Sequence, residues 1–262
     1  MSRIVFDIGG TNMRIALAEA GMIGPVQKTP TPHDPKDAIK MVTAFLKEQD
    51  AHPTEAVGGI AGVIRDGVVI DSPHLRGWDG FAWERELGSA LGIPVQLFND
   101  AELAGIGEAK SGAGKGYTTL VYLTVGTGVG GTVVMHGSAT ALEPGRHVIN
   151  QNNQTLDSFI GGAALMAEFG MSPEHLPRTL FKERAAALAT GIDSLIQEWS
   201  PEIVILNGSL MNEETAFQLE DIRSELSKIA EGKPMPQLVR AALGDESALY
   251  GAVSVTSTTS GR

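Results

Sequence analysis

One arrangement occurs twice in this chain, and it restricts the fold more than any other feature. An apolar run from Arg3 to Gly9 ends in Asp7-Ile8-Gly9-Gly10-Thr11-Asn12, and a second apolar run, Met13 to Ala20, follows. About 115 residues later Leu123-Thr124-Val125 enters Gly126-Thr127-Gly128-Val129-Gly130-Gly131, again with an apolar run behind it. A strand, a glycine turn and a strand make an ordinary hairpin when they occur once. Two copies, each opening one half of the chain, point to two halves of the same design. Each copy also offers what a phosphate needs: glycines that let backbone N–H groups approach closely, and a threonine hydroxyl. Asp7 adds a carboxylate able to hold Mg2+ or its water shell. Neither copy is a P-loop, because no Gly-Lys-Ser/Thr follows at the required spacing. Gly126-x-Gly128-x-Gly130-Gly131 approaches the dinucleotide fingerprint, but a strand follows it where that motif needs a helix.

Periodicity places the remaining elements. Ile23 to Thr29 completes a three-stranded meander with the two runs before it. Asp34 to Gln49 has helical spacing, with Asp34 as N-cap and Pro35 at the first helical position. Strands are predicted at Ala56 to Val63, Val68 to Asp71 and Val95 to Phe98, and helices at Trp83 to Leu91 and Ala101 to Ser111. In the second half, strands are predicted at Thr118 to Val125, Gly130 to His136, Ile203 to Leu206 and Leu238 to Ala241. Helices are predicted at Gly161 to Phe169, Leu180 to Glu198, Asn212 to Glu231 and Asp245 to Val255, and residues 137–157 read as irregular. Each half thus begins with antiparallel strands and then alternates strand and helix. The expectation is an α/β protein of two lobes with a central cleft. The lobes are 1–112 and 113–262, with the final helix packing back on the first.

Composition removes several function classes. The 262 residues suffice for one large domain or two small lobes. Net charge is −11 and no basic patch interrupts it, so nucleic acid is not an expected partner. No apolar run reaches membrane-spanning length and no signal peptide opens the chain, so a cytoplasmic protein with no membrane partner is expected. The absence of cysteine rules out disulfides and thiolate zinc sites. The six histidines are scattered without ligand spacing.

Asn99-Asp100 stands at the carboxyl end of a predicted strand and opens a helix. Such a pair is commonly an N-cap. Beside two phosphate turns it also supplies the carboxylate that phosphoryl transfer needs near the attacking hydroxyl.

Together these three segments resemble the ROK family (repressor, open reading frame, kinase) of the actin-like ATPase superfamily, in particular its glucokinases and N-acetylhexosamine kinases. The resemblance runs from Asp7 to Ala252. It implies an actin-like ATPase (ribonuclease H-like) fold and ATP with Mg2+ as cofactors. It further implies phosphorylation of a hexose or N-acetylhexosamine hydroxyl, the 6-OH, with Asp100 as general base. By the same similarity Asn99 bonds neighbouring sugar hydroxyls, and Gly9, Gly10, Thr11 and Asn12 form the first phosphate loop with Asp7 near the metal. Thr127 and Gly128 form the second. Gly208 and Ser209 mark the adenosine side, where the family usually carries a run of glycines. Gly59-Ile60-Ala61-Gly62 occupies the sugar loop, with Gly62 as a contact and Ala61 where proline is usual. His74 stands where asparagine is expected in Ser72 to Trp78.

Other departures leave alternatives open. The family's Gly-Glu-x-Gly-His aligns either through Glu143, with Arg146 at the histidine, or through His147, with Pro144 at the glutamate. Asp157 aligns with a further sugar-contacting glutamate and is one methylene shorter. The family's cysteine cluster is replaced by Gln151-Asn152-Asn153-Gln154, so no zinc is expected there. Polyphosphate in place of ATP, or a catalytically inactive sugar-binding or regulatory protein, are the competing readings. The first strand starts so early that no helix-turn-helix domain is expected before it. Glucose, N-acetylmannosamine, N-acetylglucosamine and fructose all fit the resemblance, which also allows a homodimer.

Overall fold

The first strand, β1 (Ser2–Ile8), is buried on nearly every residue because it is flanked on both sides. Antiparallel β2 (Asn12–Glu19) pairs with it from Ser2↔Glu19 to Ile8↔Met13, and parallel β5 (Glu55–Ile60) lies on its other edge. The computed structural model describes residues 2–211, 216–232 and 234–256. The predicted third strand is two pieces, β3 (Met22–Ile23) and β4 (Gln27–Pro30), both paired to β2. Pro25 lies in the gap, where its missing N–H cannot serve a ladder.

Helix α1 (Pro35–Glu48) starts as predicted. The Asp34 carboxylate accepts from Lys36 N, Pro35 is in the first turn, and Ala38, Ile39, Val42, Phe45 and Leu46 form the buried face. The predicted strand ending at Val63 stops at Ile60, because Gly62 takes φ +131 and turns the chain. Beyond it lies a hairpin only half predicted: β6 (Val63–Arg65) pairs with β7 (Val68–Asp71). Asp66 and Gly67, both at positive φ, make its two-residue turn. Helix α2 (Trp83–Leu91) has its predicted limits and ends on left-handed Gly92. Strand β8 (Val95–Asn99) then runs directly into α3 (Asp100–Ser111).

The second half repeats the scheme. Strand β9 (Thr119–Val125) pairs antiparallel with β10 (Val129–Met135), which pairs with β11 (Ser138–Leu142). Residues 137–157 are therefore not irregular throughout. The small side chains of Ser138-Ala139-Thr140-Ala141 conceal a strand, and the positive-φ pair His136-Gly137 makes the turn before it. A short helix, α4 (Leu156–Ile160), opens with a Thr155/Ser158 capping box. Helices α5 (Gly162–Phe169) and α6 (Arg178–Trp199) follow, then β12 (Ile203–Asn207), α7 (Leu219–Ala230) and β13 (Gln237–Arg240). The helix predicted from Asn212 begins only at Leu219. Phe217 N is bonded back to Leu210 O, and residues 212–215 lie outside the described set.

The two sheets run β3-β2-β1-β5-β8, with β4 also on β2, and β11-β10-β9-β12-β13. In each, the first strand is antiparallel to its successor and parallel to the next two along the sheet. The chain divides into two compact units, one of residues up to Lys110 together with those from Glu246 onward, the other Ser111–Asp245. The first unit includes α8 (Ser247–Ser254). Arg3 caps it, donating to the carbonyls of Ala252, Val253 and Val255 while pairing with Glu55 at 2.7 Å. Gly107 of α3 and Gly251 of α8 let backbone meet backbone, since a β-carbon on either would overlap the other helix. Buried Glu108 accepts from Ser247 Oγ at 2.8 Å across the same contact. Each unit has its own apolar core. The first is centred on Phe6, Trp78 and Trp83, and the second on Val121, Phe181 and Phe217.

Candidate active site

In the first unit, three neighbouring parallel strands end side by side. Asp7 of β1 is level with Gly59 of β5, and Ile60 of β5 with Asn99 of β8. The carboxyl ends of parallel strands are where open α/β sheets bind ligands. Gly59 is required here. A β-carbon on it would stand 2.8 Å from the α-carbon of Asp100, so glycine permits α3 to begin where it does. Asn99 caps that helix, with Oδ1 accepting from Glu102 N at 3.0 Å and Nδ2 donating to Gly62 O at 2.9 Å. The amide predicted to bond sugar hydroxyls thus ties the 59–62 loop to the helix. Asp100 follows as the first helical residue, half-buried, its Oδ1 accepting from Ala101 N at 2.9 Å. A helix N-terminus favours negative charge there.

The first glycine turn is closed from within. Gly9 N donates to Asn12 O, Thr31 Oγ1 donates to Gly9 O at 2.7 Å, and Thr31 N donates to Thr11 O at 3.0 Å. Asp7, 8% exposed, faces Arg14 Nη1 at 3.2 Å across the β1–β2 ladder. Arg14 was not singled out from sequence. A hairpin turning at Gly10-Thr11 puts it opposite Asp7, so the register was the available signal.

Residues 72–79 form a pinned loop beside this turn. Ser72 Oγ donates to Ala61 O at 2.5 Å, Ser72 N to Asp79 Oδ1 at 2.9 Å, and Trp78 Nε1 to His33 O at 3.1 Å. Trp78 stacks on Trp83 at 5.4 Å, a contact worth about 0.5–1.5 kcal/mol beyond its area. The loop presses His74 against Gly10, whose ideal β-carbon would stand 2.7 Å from that of His74. The family resemblance puts these two residues on different ligands. Behind the loop, Glu84 accepts from Leu97 N at 2.8 Å on β8. Burial pushes its carboxyl above the usual range, the Leu97 N–H opposes that, and the charge of Asp66 adds to it.

In the second unit, the turn after β9 docks on a helix. Gly126 N donates to Gly128 O, while Gly162 N and Ala163 N, at the start of α5, donate to the carbonyls of Gly126 and Thr127 at 2.8 and 2.9 Å. Asp157 accepts from Val129 N at 2.8 Å and so fastens the strand that leaves the turn. Gly208, at φ +104, lies directly against the backbone of Val125, and Ser209 Oγ would be 3.4 Å from a β-carbon on Gly126. The structure therefore brings Thr127-Gly128 and Gly208-Ser209 to one edge. Asn207 Nδ2 donates to Tyr122 Oη at 2.8 Å and Gly244 O at 2.7 Å. Next to it is a cavity of about 240 Å³ lined by Gly208, Ser209, Met211, Arg240 and Asp245 among others. A cavity of about 390 Å³ between α6, α7 and β13 contains none of the predicted site residues. Glu143 and Arg146 pair with each other at 3.3 Å in solvent, and His147 Nε2 lies 3.2 Å from Ser194 Oγ of α6.

Among the described residues, no group of three or more His, Asp or Glu side chains gathers to hold a metal ion. Asp7 is a single carboxylate at a glycine turn. That suits Mg2+, which binds through one or two carboxylates with substrate phosphates and waters supplying the rest. Among the described residues, no helix is long and apolar enough to cross a membrane.

The sequence matches the profile of the ROK family over residues 3–147 and 162–259. It is 32% identical to a glucokinase of Streptomyces coelicolor over 134 residues, which are 49% of this chain and 42% of that protein. It is 34% identical to an N-acetylmannosamine kinase of Escherichia coli O157:H7 over 142 residues, 52% of this chain and 48% of that one. The matched stretch is thus under half the length of these relatives. The crystal structure of a ROK hexokinase from Thermus thermophilus superposes with a TM-score of 0.77 at 25% identity, over 97% of both chains.

Proposed function

The chain belongs to the ROK family and has the actin-like ATPase fold, and on that premise we propose that it is an ATP-dependent sugar kinase. The acceptor is a hexose or N-acetylhexosamine, phosphorylated at its 6-hydroxyl. The observation that carries this reading is the meeting of Asp7, Gly62, Asn99 and Asp100 at the carboxyl ends of three adjacent parallel strands, with the Gly9–Asn12 turn and His74 beside them.

In this reading Asp100 is the general base. It accepts the proton of the sugar hydroxyl as that oxygen bonds the γ-phosphorus. The bond from phosphorus to the β,γ-bridging oxygen breaks, and ADP leaves with the electron pair. Gly62 is the sugar contact of the first unit, and Asn99 holds the base in place by capping its helix. Gly9, Gly10, Thr11 and Asn12 bind phosphate, with Asp7 as the residue that would hold Mg2+, directly or through water. That ion, when bound, neutralises phosphate charge. In the second unit, Thr127, Gly128, Gly208 and Ser209 bind the nucleotide. The cavity beside Gly208, lined by both Arg240 and Asp245, would take the nucleoside. In the second unit the further sugar contact is Glu143, with Arg146, or His147, and the protein works as a soluble cytoplasmic enzyme.

The test is an ADP-release screen of glucose, N-acetylmannosamine, N-acetylglucosamine and fructose with Mg-ATP, repeated with polyphosphate as donor and sugar phosphate as the readout. Sugar-dependent ADP release is the expected result. Product formed from polyphosphate alone would change the donor. Calorimetric sugar binding with no turnover on either donor would leave a sugar-binding protein in place of an enzyme.

A further inference from the structure

His74 has a position that its family resemblance does not explain. The resemblance puts this residue on the sugar, yet its neighbour is the phosphate turn. The ideal β-carbon of Gly10 would stand 2.7 Å from the His74 β-carbon and 3.3 Å from its carbonyl oxygen. Gly10 lies in the segment whose backbone N–H groups are suited to phosphate. The imidazole branches from that β-carbon, so the ring begins beside the segment.

The loop that carries His74 is fixed without help from any ligand. Ser72 ties it to Ala61 and to Asp79, Trp78 ties it to His33, and the fully buried Trp78 ring lies on Trp83. With its backbone held this way, only the two side-chain torsions of His74 have to be ordered when a ligand arrives, and preorganised donors are the ones that lower a barrier where charge develops. In phosphoryl transfer that charge spreads over the three equatorial oxygens of the moving group.

Resting on the kinase reading above, we propose that His74 is a phosphate-side catalytic residue. Its imidazole N–H donates to an oxygen of the γ-phosphoryl group rather than to a hydroxyl of the sugar. The γ-phosphoryl is absent from ADP, so the contact separates two nucleotides that otherwise share their binding groups.

Calorimetry with Mg-AMPPNP and Mg-ADP, on wild type and His74→Ala, tests this without turnover. The expected result is about tenfold weaker AMPPNP binding with ADP changed less than about twofold, the loss of one charge-assisted or neutral donor. In turnover with the best acceptor, kcat falls about ten- to a hundredfold while sugar KM changes less than about threefold. Equal losses for AMPPNP and ADP, or a raised sugar KM with unchanged kcat, would overturn the proposal. If His74→Ala does not fold, His74→Asn carries the same comparison, with a smaller loss confined to AMPPNP. If no sugar supports ADP release, the kinase reading fails by itself, and the AMPPNP–ADP contrast still decides the role of His74. A wild type that binds neither nucleotide defeats both.

Discussion

The two sheets share one topology but differ in what they bring to their carboxyl ends. In the first unit that edge carries side-chain chemistry: the Asp7 and Asp100 carboxylates, the Asn99 amide and the His74 imidazole. In the second it is mostly backbone. Gly126, Thr127, Gly128 and Gly208 form turns, and the carboxylate in direct contact, Asp157, holds Val129 N. Duplicated topology thus fixes where a site can be built and leaves its chemistry to the residues at strand ends. The first unit's edge is rich in titratable side chains, and the second's in glycine turns.

Substitutions that treat the units differently sharpen this contrast. The largest expected effect on stability is from Gly208→Ala. A β-carbon at φ +104 is strained and would also overlap the backbone of Val125, a combined cost of about 2–3 kcal/mol. Urea unfolding should show that loss, and ADP affinity should fall with it. An unchanged protein would mean that the second unit's turn is not backbone-limited. Next is Asp157→Ala, which leaves Val129 N without its acceptor at a cost of about 1–2 kcal/mol. Asp157→Asn keeps an acceptor oxygen and should retain most of the stability. A large rise in sugar KM in the Asn variant at unchanged stability would instead make Asp157 a sugar ligand, and the second unit would have side-chain chemistry after all.

The smallest effect concerns Glu84, behind the first unit's edge. Its folded carboxyl titrates above its ordinary value of 4.5, chiefly through burial, so the native state favours the protonated acid. The stability this gives is fully present below the unfolded value and is lost as pH rises through the folded one. Glu84→Gln keeps an acceptor for Leu97 N and removes that titration. Its stability relative to wild type should therefore improve as pH rises from about 4.5 towards neutrality, the ordinary carboxyl range being the lower bound. Thermal melts across that range check the sign, and a relative loss with rising pH would show that the charged form is the one stabilised.

Much of this was legible in the sequence for identifiable reasons. The repeated strand–glycine–threonine segments implied two α/β halves of one design, the ROK resemblance they carry together with Asn99-Asp100 implied the actin-like fold, and α2 had its predicted ends because Trp83, Leu87 and the terminal Gly92 mark both a buried face and a stop. The β6–β7 hairpin was half missed, although Asp66-Gly67 is a strong turn signal, because three-residue strands give periodicity too little length. Strand β11 was hidden by its small residues. At the site, residue identities were readable but contacts were not. That Asn99 would bond Gly62, Asp157 would bond Val129, and His74 would lie on Gly10 depends on partners 37, 28 and 64 residues away in sequence, which only the folded chain brings together.

Asp100→Asn tests the assignment of proton transfer to the first unit most directly. The substitution keeps the shape and leaves an oxygen for Ala101 N, but removes the base. With the best acceptor, kcat should fall by about 10²–10⁴-fold while calorimetric AMPPNP affinity stays within about twofold of wild type. A variant that still turns over within about tenfold of wild type, only about 1.4 kcal/mol of barrier, would mean that the proton leaves by another route.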